Sequence, residues 1–315
     1  MALNLKGLVS FHIGGKSAQI SDRPVQSRRL AQGASSRPVD PNGDYETGQM
    51  YVQGYLQAQP RHPFPVLLWH GGGMTGVNWE TTPDGRPGWL HRFLEAGFDV
   101  YVSDAVERGR SGWNSFPEIY KDEPLFRSKN EAWQMFRFGT SQGYATNPDQ
   151  RRPHPGVQFP VNAFDQFAKQ WVPRWAGHED ITMQAYLALL RRVGPCFVIG
   201  HSQGGGFALK AARQAPEFVR KVVAIEPSGA PDHDPAISGL PPHLVVWGDY
   251  IAGHVTWQTY RHTVDGYVER LRDTKTAVSV LDLPEQDIRG NTHFVMLDRN
   301  ADLIVRDVIA WLTTA

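Results

Sequence analysis

The sequence predicts an α/β architecture, a mostly parallel central sheet flanked by helices, and three observations carry that prediction. The first is the stretch from Phe197 to Gly206. Its apolar run Phe197-Val198-Ile199 passes through Gly200-His201-Ser202-Gln203-Gly204 into the helix-compatible Phe207 to Arg213, which reads as strand, sharp turn and helix. The second is the alternation of short apolar runs with helix-spaced segments on both sides of it. Continuous apolar runs such as Val66-Leu67-Leu68-Trp69 suit strands buried on both faces of a parallel sheet. The third is a break in that alternation from Trp113 to His178, which predicts an insertion at 113–178 into a core made of 1–112 and 179–315.

Length and charge narrow the class. A chain of 315 residues has room for two average domains, yet α/β proteins of this size are often one core carrying one insertion. Formal net charge is +0 and charged residues make up 20%, so no field favours nucleic acid or an anionic membrane surface. A small molecule is the expected partner, and a homodimer stays open. The single cysteine, Cys196, excludes an intrachain disulfide and a cysteine-based zinc cluster, and its place in an apolar run suggests a buried, inert thiol. Neither a metal nor an organic cofactor is implied. The start Met1 to Lys6 lacks a basic region followed by a long apolar one, and no stretch approaches the roughly 18 apolar residues that span a bilayer. The sequence as given points to the cytoplasm, or to export if a leader was removed.

Taken in order, Gly7 to Ile13 and Gly48 to Tyr55 alternate as strands do, and the Ser/Arg/Pro-rich segment 17–42 between them reads as a surface excursion. The strand Val66 to Trp69 runs straight into the glycine loop His70 to Gly76. A helix over Trp89 to Ala96 stops at Gly97, a C-terminal cap, and Phe98 to Asp104 is the next strand. The insertion carries seven prolines among many aromatic residues, Trp133, Phe136, Phe138, Phe164 and Phe167 among them, and is too apolar to be disordered. Asp180 to Arg192 is a helix with basic residues in its last turn. Strands follow at Val219 to Ile225, His243 to Trp247 and Ala277 to Leu281, with a helix over about Thr256 to Asp273 and an amphipathic helix through Leu303, Val308 and Leu312.

Gly200-x-Ser202-x-Gly204 between a strand and a helix is the nucleophile elbow of the α/β-hydrolases, and the chain is identified as a member of that superfamily on these residues. Membership implies a sheet of about eight strands and a lid, the role that the 113–178 insertion would fill while most of its aromatics pack it onto the body. It also implies that the glycine loop supplies an oxyanion hole, through the amides of Gly72 (or Gly71) and Gln203. The loop Glu107 to Gly112 holds the place of a Gly-Arg-Ser stretch many hydrolases carry, and is expected to shape a turn.

A serine at its free pKa is a poor nucleophile, so the chemistry requires an imidazole base and a carboxylate to orient it. The superfamily's chain order of serine, acid, histidine points to His293 after the last strand, the other late histidines being His254 and His262. Two carboxylates end core strands: Glu226 after the sixth and Asp249 after the seventh. The usual acid slot lies a few residues past the seventh strand's glycine, where this chain has Ile251. The whole chain resembles a small group of bacterial serine esterases, typified by esterase 713, through His-Gly-x-x-x-Thr-Gly at 70–76, Trp79-Glu80, Pro83 to Arg86, Gly-His-Ser-Gln-Gly, Ile225-Glu226-Pro227, Trp247-Gly248-Asp249 and Asn291-Thr292-His293. That resemblance implies a Ser202–Glu226–His293 triad, with Asp249 the alternative acid. Gly72 and Gly73 stand where that esterase has adjacent cysteines. The implied activity is hydrolysis of a carboxylic ester or lactone through an acyl-enzyme. A carbon–carbon bond hydrolase with the same triad and a catalytically weak small-molecule-binding protein are the alternatives.

Overall fold

Strands β1 (Leu5–Ile20) and β4 (Gly43–Gln57) pair antiparallel over nearly their whole length, from Leu5 opposite Gln57 to Ile20 opposite Gly43. Between them β2 (Gln26–Arg28) and β3 (Arg37–Val39) form a separate two-stranded sheet. The two strands thus run longer than the alternation at Gly7 to Ile13 and Gly48 to Tyr55 suggests, and the surface excursion between them, exposed along most of its length, carries a small sheet of its own. Lys16 to Gln19 are mostly exposed, so no burial alternation marks them, and backbone pairing alone extends the strand. The computed structural model describes residues 3–232 and 239–314.

Beyond the hairpin, β5 (Val66–Trp69) is buried at every residue and leads through the glycine loop to α1 (Val77–Glu80) and α2 (Trp89–Glu95). Gly97, at φ 89°, ends that turn in the left-handed region that glycine enters without strain. Then come β6 (Val100–Asp104), the insertion with α3 (Lys129–Met135) and α4 (Phe164–Ala168), and α5 (Glu179–Val193). The unit β7 (Cys196–His201), α6 (Gln203–Gln214) and β8 (Val219–Ile225) follows, then β9 (His243–Trp247), α7 (Val255–Asp273), β10 (Val278–Asp282) and α8 (Ala301–Thr313). Most sequence-read boundaries agree within two residues, the usual fraying.

The main sheet has eight strands in the order β1-β4-β6-β5-β7-β8-β9-β10. From β6 to β10 all neighbours are parallel, and β4 and β1 add antiparallel at one side. One face buries Tyr186, Leu190, Phe207 and Ala211 from α5 and α6. On the other, Phe93 of α2 and Ile304 and Val308 of α8 share a hydrophobic cluster with Trp133, Phe138, Phe159, Phe164 and Phe167 of the insertion. Those five aromatics are fully buried, so the segment 113–178 shares the body's core and has no separate one. Parallel strands put all their carboxyl ends on one edge, where the following loops converge. No helix among the described residues is long and apolar enough to cross a membrane.

Candidate active site

Ser202 sits between β7 and α6 at φ 55°, ψ −118°, a region that costs a non-glycine residue on the order of 1–3 kcal/mol and persists only where its surroundings over-determine it. Here they do. Its amide donates to the Ile225 carbonyl at 2.9 Å, and its own carbonyl accepts from Gly206 at 3.1 Å and Ser228 at 3.2 Å. A Cβ at Gly200 would lie 2.1 Å from the Gly204 carbonyl oxygen, and one at Gly204 would lie 2.5 Å from that of His70. Both glycines are therefore imposed by backbone packing around the turn.

The glycine loop after β5 lies against this turn. A Cβ on Gly71 would come within 3.0 Å of Ser202 Cβ, and one on Gly72 within 3.0 Å of Gln203 Oε1 and 2.9 Å of Arg174 Nη1. His70 braces the loop. Its Nδ1–H donates to the Gly71 carbonyl at 2.8 Å while Nε2 accepts the Ala105 amide at 2.9 Å. That arrangement requires a neutral ring, and burial pushes the imidazole down to about 4. On the far side of the loop, Asp104 accepts from the Gly76 amide and is held by Arg110, and Ser111 donates to the Asp104 carbonyl. Arg110 and Ser111 thus work in the turn.

His293 follows β10 in a loop that its neighbours hold rigidly. Asp298 accepts from the Thr292 amide and hydroxyl and from Asn291 Nδ2, the His293 amide donates to the Phe136 carbonyl at 3.1 Å, and His201 Nε2–H donates to the His293 carbonyl at 2.8 Å. The ring packs against Trp257 and His201, with centroids at 4.1 and 4.4 Å. Burial, then the positive charges of Arg137 and Arg127, hold its pKa well below the ordinary histidine range. Ser202, His293, Gly72 and Gln203 line one cleft of about 130 Å³. Ser202 makes no side-chain hydrogen bond to His293 in this arrangement, and contacts of this kind tighten when substrate binds. His254 is half-buried at the start of α7, and His262 is exposed on it.

Of the two candidate acids, the fold brings Glu226 to the imidazole. Glu226 is fully buried at φ 48°. Its Oε2 faces His293 Nδ1 at 3.3 Å, while Oε1 accepts from the Gly248 amide at 2.5 Å and from Arg137 Nη2 at 2.6 Å. Asp249 instead accepts the amides of Tyr250 at 2.8 Å and Gly290 at 3.0 Å, the ordinary work of an aspartate in a turn.

Arg137 is the residue that sequence reasoning missed. Only 1% exposed, it reaches from the insertion to Glu226 and donates Nε to the Asp249 carbonyl at 2.8 Å. The one signal in the sequence is an arginine enclosed by Phe136 and Phe138 in an aromatic segment. Arg137→Met would leave the Glu226 carboxylate buried without its cation, a loss of about 3–5 kcal/mol in comparable buried pairs. It also removes a charge that depresses the His293 pKa, so the acid limb of the kcat/KM profile should move to higher pH. Urea unfolding and a pH–rate profile check both, with Arg137→Lys expected to restore part of each. A limb that stays in place in the folded Met variant would show that Arg137 does not act on the imidazole.

The family described as alpha/beta hydrolase fold matches residues 65–258. A fungal protein described as a "probable secreted lipase" (Fungal sp., strain ATCC 74256) is 28% identical over 327 aligned positions, covering 86% of this chain and 87% of that protein. A solved structure described as a novel bacterial esterase superposes with a TM-score of 0.84 at 27% identity, covering 99% of this chain and 96% of that one. An esterase of Pyrobaculum calidifontis aligns at 12% identity with a TM-score of 0.44, over 97% of this chain and 84% of that one.

Proposed function

The chain belongs to the alpha/beta hydrolase fold family, and on that premise we propose that it is a serine esterase that hydrolyses a carboxylic ester or lactone through an acyl-enzyme on Ser202. One observation carries the reading. Ser202, strained into the elbow, shares a cleft with an imidazole whose far nitrogen faces a fully buried glutamate. The esterase and lipase descriptions of the two relatives support it.

In this reading His293 is neutral at neutral pH, as its depressed pKa requires of a base. Its Nε2 takes the Ser202 proton as Oγ attacks the carbonyl carbon. The negative charge that develops on the carbonyl oxygen is held by the amides of Gln203 and Gly72, with Gly71 the neighbouring donor. Glu226 steadies the imidazolium through Nδ1–H and keeps the tautomer that leaves Nε2 free to accept. His293 then protonates the departing alkoxide. Water attacks the acyl-Ser202 ester with the same base, and the acid leaves. The test is a substrate panel of aryl esters, lactones and β-diketones. Turnover of esters or lactones is expected; turnover confined to β-diketones would indicate carbon–carbon cleavage, and none at all a binding protein.

The segment 113–178 is proposed to act as the lid that sets substrate size, since Met135 and Phe136 line the cleft beside Ser202. Because its aromatics belong to the common core, deleting the segment would expose that core, and a point change is the cleaner probe. Met135→Trp should lower kcat/KM for the longest acyl chains by about tenfold, the scale on which pockets discriminate methylenes, while acetate esters are affected least. A ranking of p-nitrophenyl esters unchanged by this variant would remove the lid from substrate selection.

A further inference from the structure

Resting on the reading of Ser202 as an esterase nucleophile, we infer that the substrate carries a carboxylate close to its scissile carbonyl and that Arg174 recognises it. Arg127 and Arg174 line the cleft, and Arg137 lies behind it. Two of the three are already paired: Arg137 with Glu226 at 2.6 Å, and Arg127 with Glu131 at 2.5 Å. Glu179, the carboxylate that also lines the cleft, has Lys210 at 2.9 Å. Arg174 is the surplus charge. No carboxylate among the described residues lies within ion-pair distance of it, and its Nε is buried with no hydrogen-bond partner.

Its placement is fixed. The Arg174 main chain bridges that of Leu125 in both directions, at 3.1 and 2.7 Å, so the side chain is mounted on a paired backbone inside the insertion. Its guanidinium meets the glycine loop at the position proposed to hold the oxyanion, since a Cβ on Gly72 would lie 2.9 Å from Nη1. A buried N–H without an acceptor is unfavourable. The two Nη groups of Arg174, which no acceptor among the described residues takes up, present a planar fork that a carboxylate satisfies with two parallel bonds, a match that a neutral acyl chain cannot make.

Two matched pairs of esters test this. The p-nitrophenyl hemiester of glutaric acid against p-nitrophenyl valerate places the acid on the acyl half; m-acetoxybenzoate against phenyl acetate places it on the alcohol half. In at least one pair the wild-type kcat/KM should favour the acidic member. Arg174→Met should lower that acid-to-neutral ratio by about ten- to hundredfold, the worth of a charge-assisted bond at a partly exposed site, and Arg174→Lys should keep part of it. Free glutarate should inhibit the wild type competitively, a measurement that needs no variant to fold. Ratios at or below unity in both pairs with turnover of the neutral esters intact, or a preference that survives in folded Arg174→Met, would overturn the inference and leave the esterase reading standing. Failure to hydrolyse any of the four would overturn both.

Discussion

Ser202→Ala is expected to lower kcat by roughly a thousandfold or more on any ester the wild type hydrolyses, as removal of a triad nucleophile does elsewhere. The size follows from what remains. The oxyanion amides and the cleft are backbone and side-chain features that alanine does not disturb, but the hydroxyl at the elbow is lost; Ser228 and Tyr260 also line the cleft, and neither occupies the strained turn that holds residue 202. The fold should persist, because the elbow is set by Gly200, Gly204 and the main-chain bonds of residue 202, which alanine retains. Alanine at φ 55° bears the same backbone strain as serine, so unfolding free energy should change by less than about 1 kcal/mol. Wild-type-like turnover by the alanine variant would place the nucleophile elsewhere.

The second large effect separates the two acids. Glu226→Gln should lower kcat by about ten-thousandfold, because an amide keeps the shape of the carboxylate but favours the wrong imidazole tautomer. It also removes the charge that faces Arg137 Nη2 at 2.6 Å, so a stability loss should accompany the kinetic one. Asp249→Asn should keep kcat within several-fold of wild type. The carboxylate it replaces accepts the amides of Tyr250 and Gly290, one on each oxygen. An asparagine has one acceptor oxygen for those two donors, so a lost hydrogen bond worth about 1 kcal/mol is the expected cost. The comparison is made on one activated ester, with circular dichroism to establish folding. A crippled Asp249→Asn beside a near-normal Glu226→Gln would exchange the two roles.

The features legible in the sequence are those with a local cause. Gly200 marks the elbow because the Gly204 carbonyl of the same turn leaves no room for a Cβ, whereas Gly204, legible through the same motif, is required by the distant carbonyls of Trp69 and His70. The helices α5 and α7 and the strands β7 to β10 show their periodicity or their apolar runs within a short window. The superfamily's chain order points to His293, while the two strand-ending carboxylates, Glu226 and Asp249, are distinguished in the sequence only through the resemblance to other esterases. Long-range causes leave no such mark. Arg137 meets Glu226 across 89 positions, and nothing near Arg137 specifies a carboxylate. Asp298 organises the His293 loop through three bonds that exist only once that loop has closed on itself. The extension of β1 to Ile20 is a matter of backbone pairing under exposed side chains, where composition carries no signal. The aromatic richness of 113–178 is visible, but its merger with the core of α2 and α8 depends on how the chain folds back.

The most direct measurement is covalent labelling with a fluorophosphonate, followed by mass spectrometry of the peptides, because it needs no knowledge of the substrate. Phosphonylation requires an activated serine, not just an accessible one. The wild type should take up one equivalent on the peptide containing Ser202, Ser202→Ala should take up none, and Glu226→Gln should label far more slowly than Asp249→Asn. Folded wild-type protein that stays unlabelled, or carries the label on another residue, would contradict a Ser202–His293–Glu226 catalyst.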